Sequence, residues 1–134
     1  MIKRHPVSNV IETLQELVRI NSVNPAYDGG PGEGAIAAWI LDRLRAAGVE
    51  TESYEVFPGR PNILAKVAGR DRSRCILFEA HTDTVSIKGM SIPPFEPTII
   101  DGQLRGRGSC DTKGGLAAML DAIASSNNAY RGVA

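Results

Sequence analysis

Residues 76–83, Ile-Leu-Phe-Glu-Ala-His-Thr-Asp, constrain this chain more than any other stretch. Three apolar residues, a Glu and an Ala lead straight into His81 and Asp83. A short apolar run bounded by turn chemistry reads as a buried strand, here predicted over residues 75–80. In open α/β sheets, ligands gather beyond the carboxyl ends of strands, so an imidazole and a carboxylate delivered there are placed for chemistry. Residues i and i+2 of an extended segment point to the same side. His81 and Asp83 can therefore face one site, with Asp83 orienting the His81 ring as a carboxylate commonly does for a metal-bound histidine. Such a pair also arises as a plain structural contact, and by itself it does not separate the two.

A second stretch shifts the balance. Gly106-Arg107-Gly108-Ser109-Cys110-Asp111-Thr112-Lys113-Gly114-Gly115 places another carboxylate, Asp111, in a glycine-dense turn before a helical pattern. His81 and Asp111 lie thirty residues apart in two turns. If both turns share one sheet edge, imidazole and carboxylate can share one metal ion, and zinc accepts both donors. Two zinc ions about 3.5–4 Å apart could share a bridging carboxylate, polarise a carbonyl, generate hydroxide and cleave an amide.

The rest of the chain frames these two turns. Residues 8–20 carry Val10, Ile11, Leu14, Leu17 and Val18 at helical spacing, with Ser8 as a candidate cap, and predict a helix packing on the sheet. Residues 21–34 are too rich in Gly, Pro and Asn for a regular element. A second helix is predicted over 33–47, with Ile36, Ile40 and Leu44 on one face, Trp39 at its edge and Gly48 as its stop. Residues 49–57 and 62–67 read as an antiparallel pair around Pro58-Gly59. Residues 84–97 form a proline-containing loop, and 98–105 a hairpin around Asp101-Gly102. A last helix is predicted over 112–126, with Leu116, Met119, Leu120 and Ile123 as its stripe. Gly114 and Gly115 suggest close backbone approach, to a strand or to the site.

The 134 residues suffice for one modest domain with a real core. Aromatics are only 5 %, so that core is expected to be Ile, Leu, Val and Ala. Lys plus Arg and Asp plus Glu both number 15, without the basic excess of a general nucleic-acid binder. Arg70, Arg72 and Arg74 are interrupted by Asp71 and read as a solvated turn. No apolar run has the length of a membrane span, and the first residues lack a signal peptide's apolar stretch. Cys75 and Cys110 make no disulfide framework, and a reducing cytoplasm is the simplest setting.

His81-Thr82-Asp83-Thr84-Val85, with the apolar run before it, resembles the first metal-binding motif of the zinc aminoacylase and acetylornithine deacetylase family. That family also includes succinyl-diaminopimelate desuccinylases and glutamate carboxypeptidases. Residues 106–115 resemble its second motif, Gly-Arg-Gly-x-x-Asp-x-Lys-Gly-Gly, and residues 17–25 look like its first helix and substrate-side loop. The resemblance implies an α/β fold, a three-layer arrangement of a mixed sheet flanked by helices. It implies hydrolysis of the amide bond of N-acyl amino acids or small peptides, with two zinc ions per complete site and Co2+ as a possible substitute. In that reading His81 ligates one zinc, Asp111 bridges both across a cis Asp111–Thr112 peptide, and Asp83 is the catalytic residue holding the His81 ring.

The family's general-base Glu and its neighbouring ligand Glu lie beyond the second motif, and a further carboxylate and a distant His complete its site. Residues 112–134 contain no Glu and no His, and His5 matches no motif. The expectation is therefore an N-terminal portion of the catalytic domain over residues 1–134, without the lid or dimerisation domain and the C-terminal half. A helix on a parallel sheet normally leads into another strand, and none follows residue 126. Little turnover and weak or no metal are expected of such a fragment, since structural zinc usually takes four ligands. Cys110 is expected to be a small buried hydrophobe, and Arg107 either a substrate contact or a structural turn residue. The alternative is a complete small protein that kept the fold and lost catalysis, acting as a binding or oligomerisation module. Its exposed sheet edge and apolar helix face would invite a homo-oligomer.

Overall fold

A computed structural model describes residues 9–131. The first helix, α1 (Val10–Arg19), starts where the Asn9 side chain accepts the Ile11 N–H at 3.2 Å. Ser8, the expected cap, lies outside the described residues. Helix α2 (Gly34–Ala46) closes with the Gly48 and Val49 N–H groups donating to the Arg45 and Leu44 carbonyls at 2.8 and 2.9 Å. That paired closure satisfies the last carbonyls and turns the chain directly into a strand. Strand β1 (Glu50–Phe57) pairs antiparallel with β2 (Arg60–Lys66), the antiparallel pair the sequence predicts, with a register shift between Glu55 and Phe57. A smaller hairpin joins β3 (Thr98–Ile100) to β4 (Gln103–Arg105). Its turn residues Asp101 and Gly102 both have positive φ, 51° and 74°, which a tight two-residue turn requires. Residues 109–113 wind an irregular turn, non-helical at Asp111 and Thr112, ahead of α3 (Gly114–Arg131).

The architecture is mixed α/β, with two two-stranded sheets among the described residues. The core is the aliphatic set composition implies: Leu17, Ile36, Ile40, Leu44, Val49, Leu116, Ala117 and Leu120. Trp39 packs at its margin, with the Arg43 guanidinium 5.5 Å from the ring centre. Helix α2 lies on β1 and β2, the place the sequence assigned to the first helix. Helix α1 packs instead on α3 and on the 109–113 turn. Its buried apolar residues, Leu17 and Val18, sit in the last two turns, while Val10 and Ile11 at its start are exposed.

Residues 75–80 depart most from expectation. They form neither helix nor strand, and Ile76 and Leu77 are 81 % and 76 % exposed. The apolar pattern is real, but burial needs a neighbour, and no strand among the described residues pairs with this segment. It flanks an open groove of about 880 Å³, lined by Ile63 and Ala65 of β2, Ile40 and Leu44 of α2, and Met119 and Ile123 of α3.

Candidate metal centre

Two loops are brought to one rim by main-chain ties. Thr84, nearly fully buried, makes an isolated parallel bridge with Val23. Its N–H donates to the Ser22 carbonyl and its carbonyl accepts the Asn24 N–H, both at 2.9 Å. The second loop is pinned where the Arg107 N–H donates to the Pro94 carbonyl at 2.7 Å. The two loops touch at Gly108, whose φ is 79°. A Cβ there would lie 2.8 Å from Thr84 Cγ2 and 3.1 Å from Lys113 Cδ, so conformation and space both demand glycine. Gly114 approaches the site's own loop, at the Ser109 carbonyl, rather than a strand.

Lys113 anchors this loop to the helices. Its Nζ donates to the Leu17 and Ile20 carbonyls at 2.8 Å each, and the residue is 1 % exposed. The ammonium thereby meets carbonyls at the negative end of α1, of which that of Leu17 also accepts the Ile20 N–H at 3.3 Å. Burial pulls its pKa down from 10.5 to about 8.

On this scaffold His81, Asp83 and Asp111 converge. His81 Nδ1 lies 3.0 Å from the Asp83 carbonyl and 3.2 Å from Asp83 Oδ1. His81 Nε2 lies 3.0 Å from Asp111 Oδ1. The Asp111–Thr112 peptide is cis. Every polar atom facing the ring is an acceptor, so both nitrogens are favoured as donors. Partial burial draws the His81 pKa down. The hydrogen bonds to Asp111 and to the Asp83 carbonyl, with the two carboxylate charges, outweigh it and leave the pKa raised. The space between Nε2 and Asp111 Oδ1 is thus where a cation could stand.

The donor set fits such a cation. Ligand atoms each about 2.0–2.2 Å from a tetrahedral zinc are about 3.3 Å apart, within a few tenths of the observed Nε2–Oδ1 separation. The Asp111 side chain is 82 % exposed and therefore open to a further partner. Among the described residues no group of three or more His, Cys, Asp or Glu side chains gathers to hold an ion. Cys110 is exposed, contrary to expectation, because Lys113 rather than Cys110 takes the interior position of this turn. Cys75 is likewise an exposed free thiol. Arg107 is half-buried, and its Nε is buried with no hydrogen-bond partner among the described residues.

Two residues of the rim escaped sequence reasoning. One is Lys113, visible only as a member of the glycine-rich motif. The other is Asn24, whose Nδ2 donates to Asp83 Oδ2 at 2.8 Å. Its position beside a proline in a loop carried no signal of that contact.

Residues 77–132 match the profile of Peptidase family M20/M25/M40. The matched segment contains both motif loops. The fold is also similar to that of human carnosine dipeptidase 1, with a TM-score of 0.69 at 24 % identity. That alignment covers 90 % of this chain and 28 % of the dipeptidase chain. The chain thus spans under a third of that relative's length. The profile match covers the segment that carries both loops, and the solved structure shares the fold of the chain.

Proposed function

We propose that this chain is the N-terminal portion of the catalytic domain of a dinuclear zinc amidohydrolase. The substrates would be N-acyl amino acids or small peptides, as for the aminoacylases, deacetylases and desuccinylases its motifs resemble. The observation that carries the reading is the His81 ring, with Nδ1 held by Asp83 and Nε2 aimed at Asp111. His81 and Asp111 would hold the ion, which when bound supplies Lewis-acid polarisation of an amide carbonyl and activation of water. Asp83 keeps the hydrogen on Nδ1 and so presents the Nε2 lone pair toward Asp111. Asp111, with two carboxylate oxygens, can serve two partners. The general base and the remaining ligands would come from outside residues 1–134. A dipeptidase as structural neighbour agrees with a substrate of peptide size.

The test is Zn2+ or Co2+ titration of the 134-residue chain, followed at the His81 ring resonances, with hydrolysis of N-acetyl amino acids assayed alongside. His81 should respond, Asp111→Ala should weaken the response, and turnover should be close to background. No response at millimolar metal refutes the metal reading. Robust turnover by this chain alone refutes the fragment reading.

A further inference from the structure

We infer that Asn24 is a positioning residue of this rim: its amide fixes the Asp83 carboxylate, and Asp83 thereby fixes which nitrogen of His81 carries the hydrogen. The inference rests on the reading of His81 as a metal ligand.

The amide of Asn24 is oriented from both ends. Its Oδ1 accepts the Ala26 N–H at 3.0 Å, so that atom must be the oxygen, and the NH2 group then faces Asp83. The backbone around it is held as well. The Asn24 N–H donates to the Thr84 carbonyl, and the Asn24 carbonyl accepts the Tyr27 N–H, each at 2.9 Å. An amide so fixed offers Asp83 Oδ2 one stationary donor, 59 residues away in sequence. With Oδ2 engaged, Oδ1 stays 3.2 Å from His81 Nδ1. Nδ1 therefore meets two oxygens of Asp83, whereas Nε2 meets one carboxylate that is mostly in solvent. The neutral ring is consequently held with its hydrogen on Nδ1 and its lone pair on Nε2, the form a metal-binding Nε2 requires. Without the Asn24 donor, the Asp83 side chain, 28 % exposed, is free to turn toward water, and the preference weakens.

A merely structural role would be the local turn closed through Ala26. Asn24→Asp separates the two, since it keeps the Oδ1 acceptor for Ala26 and replaces the donor with a second carboxylate facing Asp83. The experiment measures the His81 tautomer ratio in the 134-residue chain by long-range 1H–15N correlation, at a pH where the ring is neutral. The wild-type chain should show mostly Nδ1–H, the reverse of a free imidazole side chain. Asn24→Asp and Asn24→Ala should lower the Nδ1–H to Nε2–H ratio severalfold, while Asn24→Asp retains the Ala26 amide shift and the melting curve. Co2+ affinity at His81 should fall about tenfold in both variants, the usual cost of losing a ligand's supporting partner.

A wild-type ring that is mostly Nε2–H overturns the inference outright, whether or not the variants fold. An unchanged ratio in Asn24→Asp overturns it too, leaving the metal reading intact if Co2+ still binds His81. A ratio that moves as expected while Co2+ leaves His81 untouched supports the positioning role and refutes the metal reading.

Discussion

The rim that carries His81 and the flank that carries Ile76 are neighbours in sequence and opposites in physics. At the rim, polar groups find partners across long stretches of chain: Asn24 on Asp83, His81 on Asp111, Lys113 on the end of α1. At the flank, Ile76, Leu77 and Phe78 are exposed beside an apolar groove. The site's geometry is thus carried by loops fastened to helices, not by the apolar segment that leads into it. A rim built this way should fail with the helical core and tolerate changes along the flank.

The largest effect belongs to that core. Leu17 is fully buried, and its carbonyl also receives Lys113. Leu17→Ala should cost about 2–5 kcal/mol in urea melts, a large share of a small domain's stability. The same variant should disperse the His81 resonances, because α1 anchors the second loop. Retained stability within about 1 kcal/mol would break the contrast at its root, since a truly buried leucine cannot be truncated so cheaply.

Lys113 offers a pH-dependent version of the same test. Its pKa is about 8 in the folded chain against 10.5 ordinarily, so the unfolded state binds more protons between these values. Stability must therefore rise as pH increases from about 8 toward 10.5, by up to about 3 kcal/mol from this group. Below pH 8 both states carry the proton, and the burial penalty is constant. Lys113→Met should flatten this segment of the profile. A profile equally steep in the variant would assign the slope to another group.

The Thr13 hydroxyl joins all three helices. It donates to Asp121 Oδ1 at 3.0 Å and accepts from Arg43 at 2.7 Å. Thr13→Val should cost about 1–3 kcal/mol, since it removes one partner from a buried carboxylate. Denaturant melts at two salt concentrations sharpen the comparison. Charge at this half-buried cluster should respond weakly to salt, and an exposed pair such as Lys66–Glu52 strongly.

Helices, both hairpins and the three rim residues were legible because each rests on local pattern. Apolar spacing marked α2 and α3, Asp101-Gly102 marked its turn, and the two motifs marked His81, Asp83 and Asp111. Residues 75–80 misled because periodicity reports apolarity, whereas a buried strand also requires a partner for its backbone. Lys113 and Asn24 were invisible for a different reason. Lys113 reaches across 96 residues and Asn24 across 59, and neither separation leaves a trace in local composition. Cys110 failed for a third reason. Residue type favours burial of free cysteine, but the surface turn that holds it gives the interior to Lys113.

The smallest expected change in stability tests the other side of the comparison. Ile76→Lys and Leu77→Lys replace side chains already in water, so each should alter the melt by no more than about 0.5 kcal/mol. The same substitutions should reduce binding of an apolar dye, because charge is added along the groove without touching its floor of Ile63, Leu44 and Met119. His81 resonances should stay in place, since the ties at Thr84 and Gly108 do not involve the flank. A loss above about 1 kcal/mol would mean that these side chains are buried in solution. Light scattering then separates the causes. A mass that rises with concentration and falls in Leu77→Lys would make the flank an interface between copies, and the oligomerisation reading would gain its first support. A monomeric mass would instead place the lost burial within one chain, with residues 75–80 folding down onto the groove.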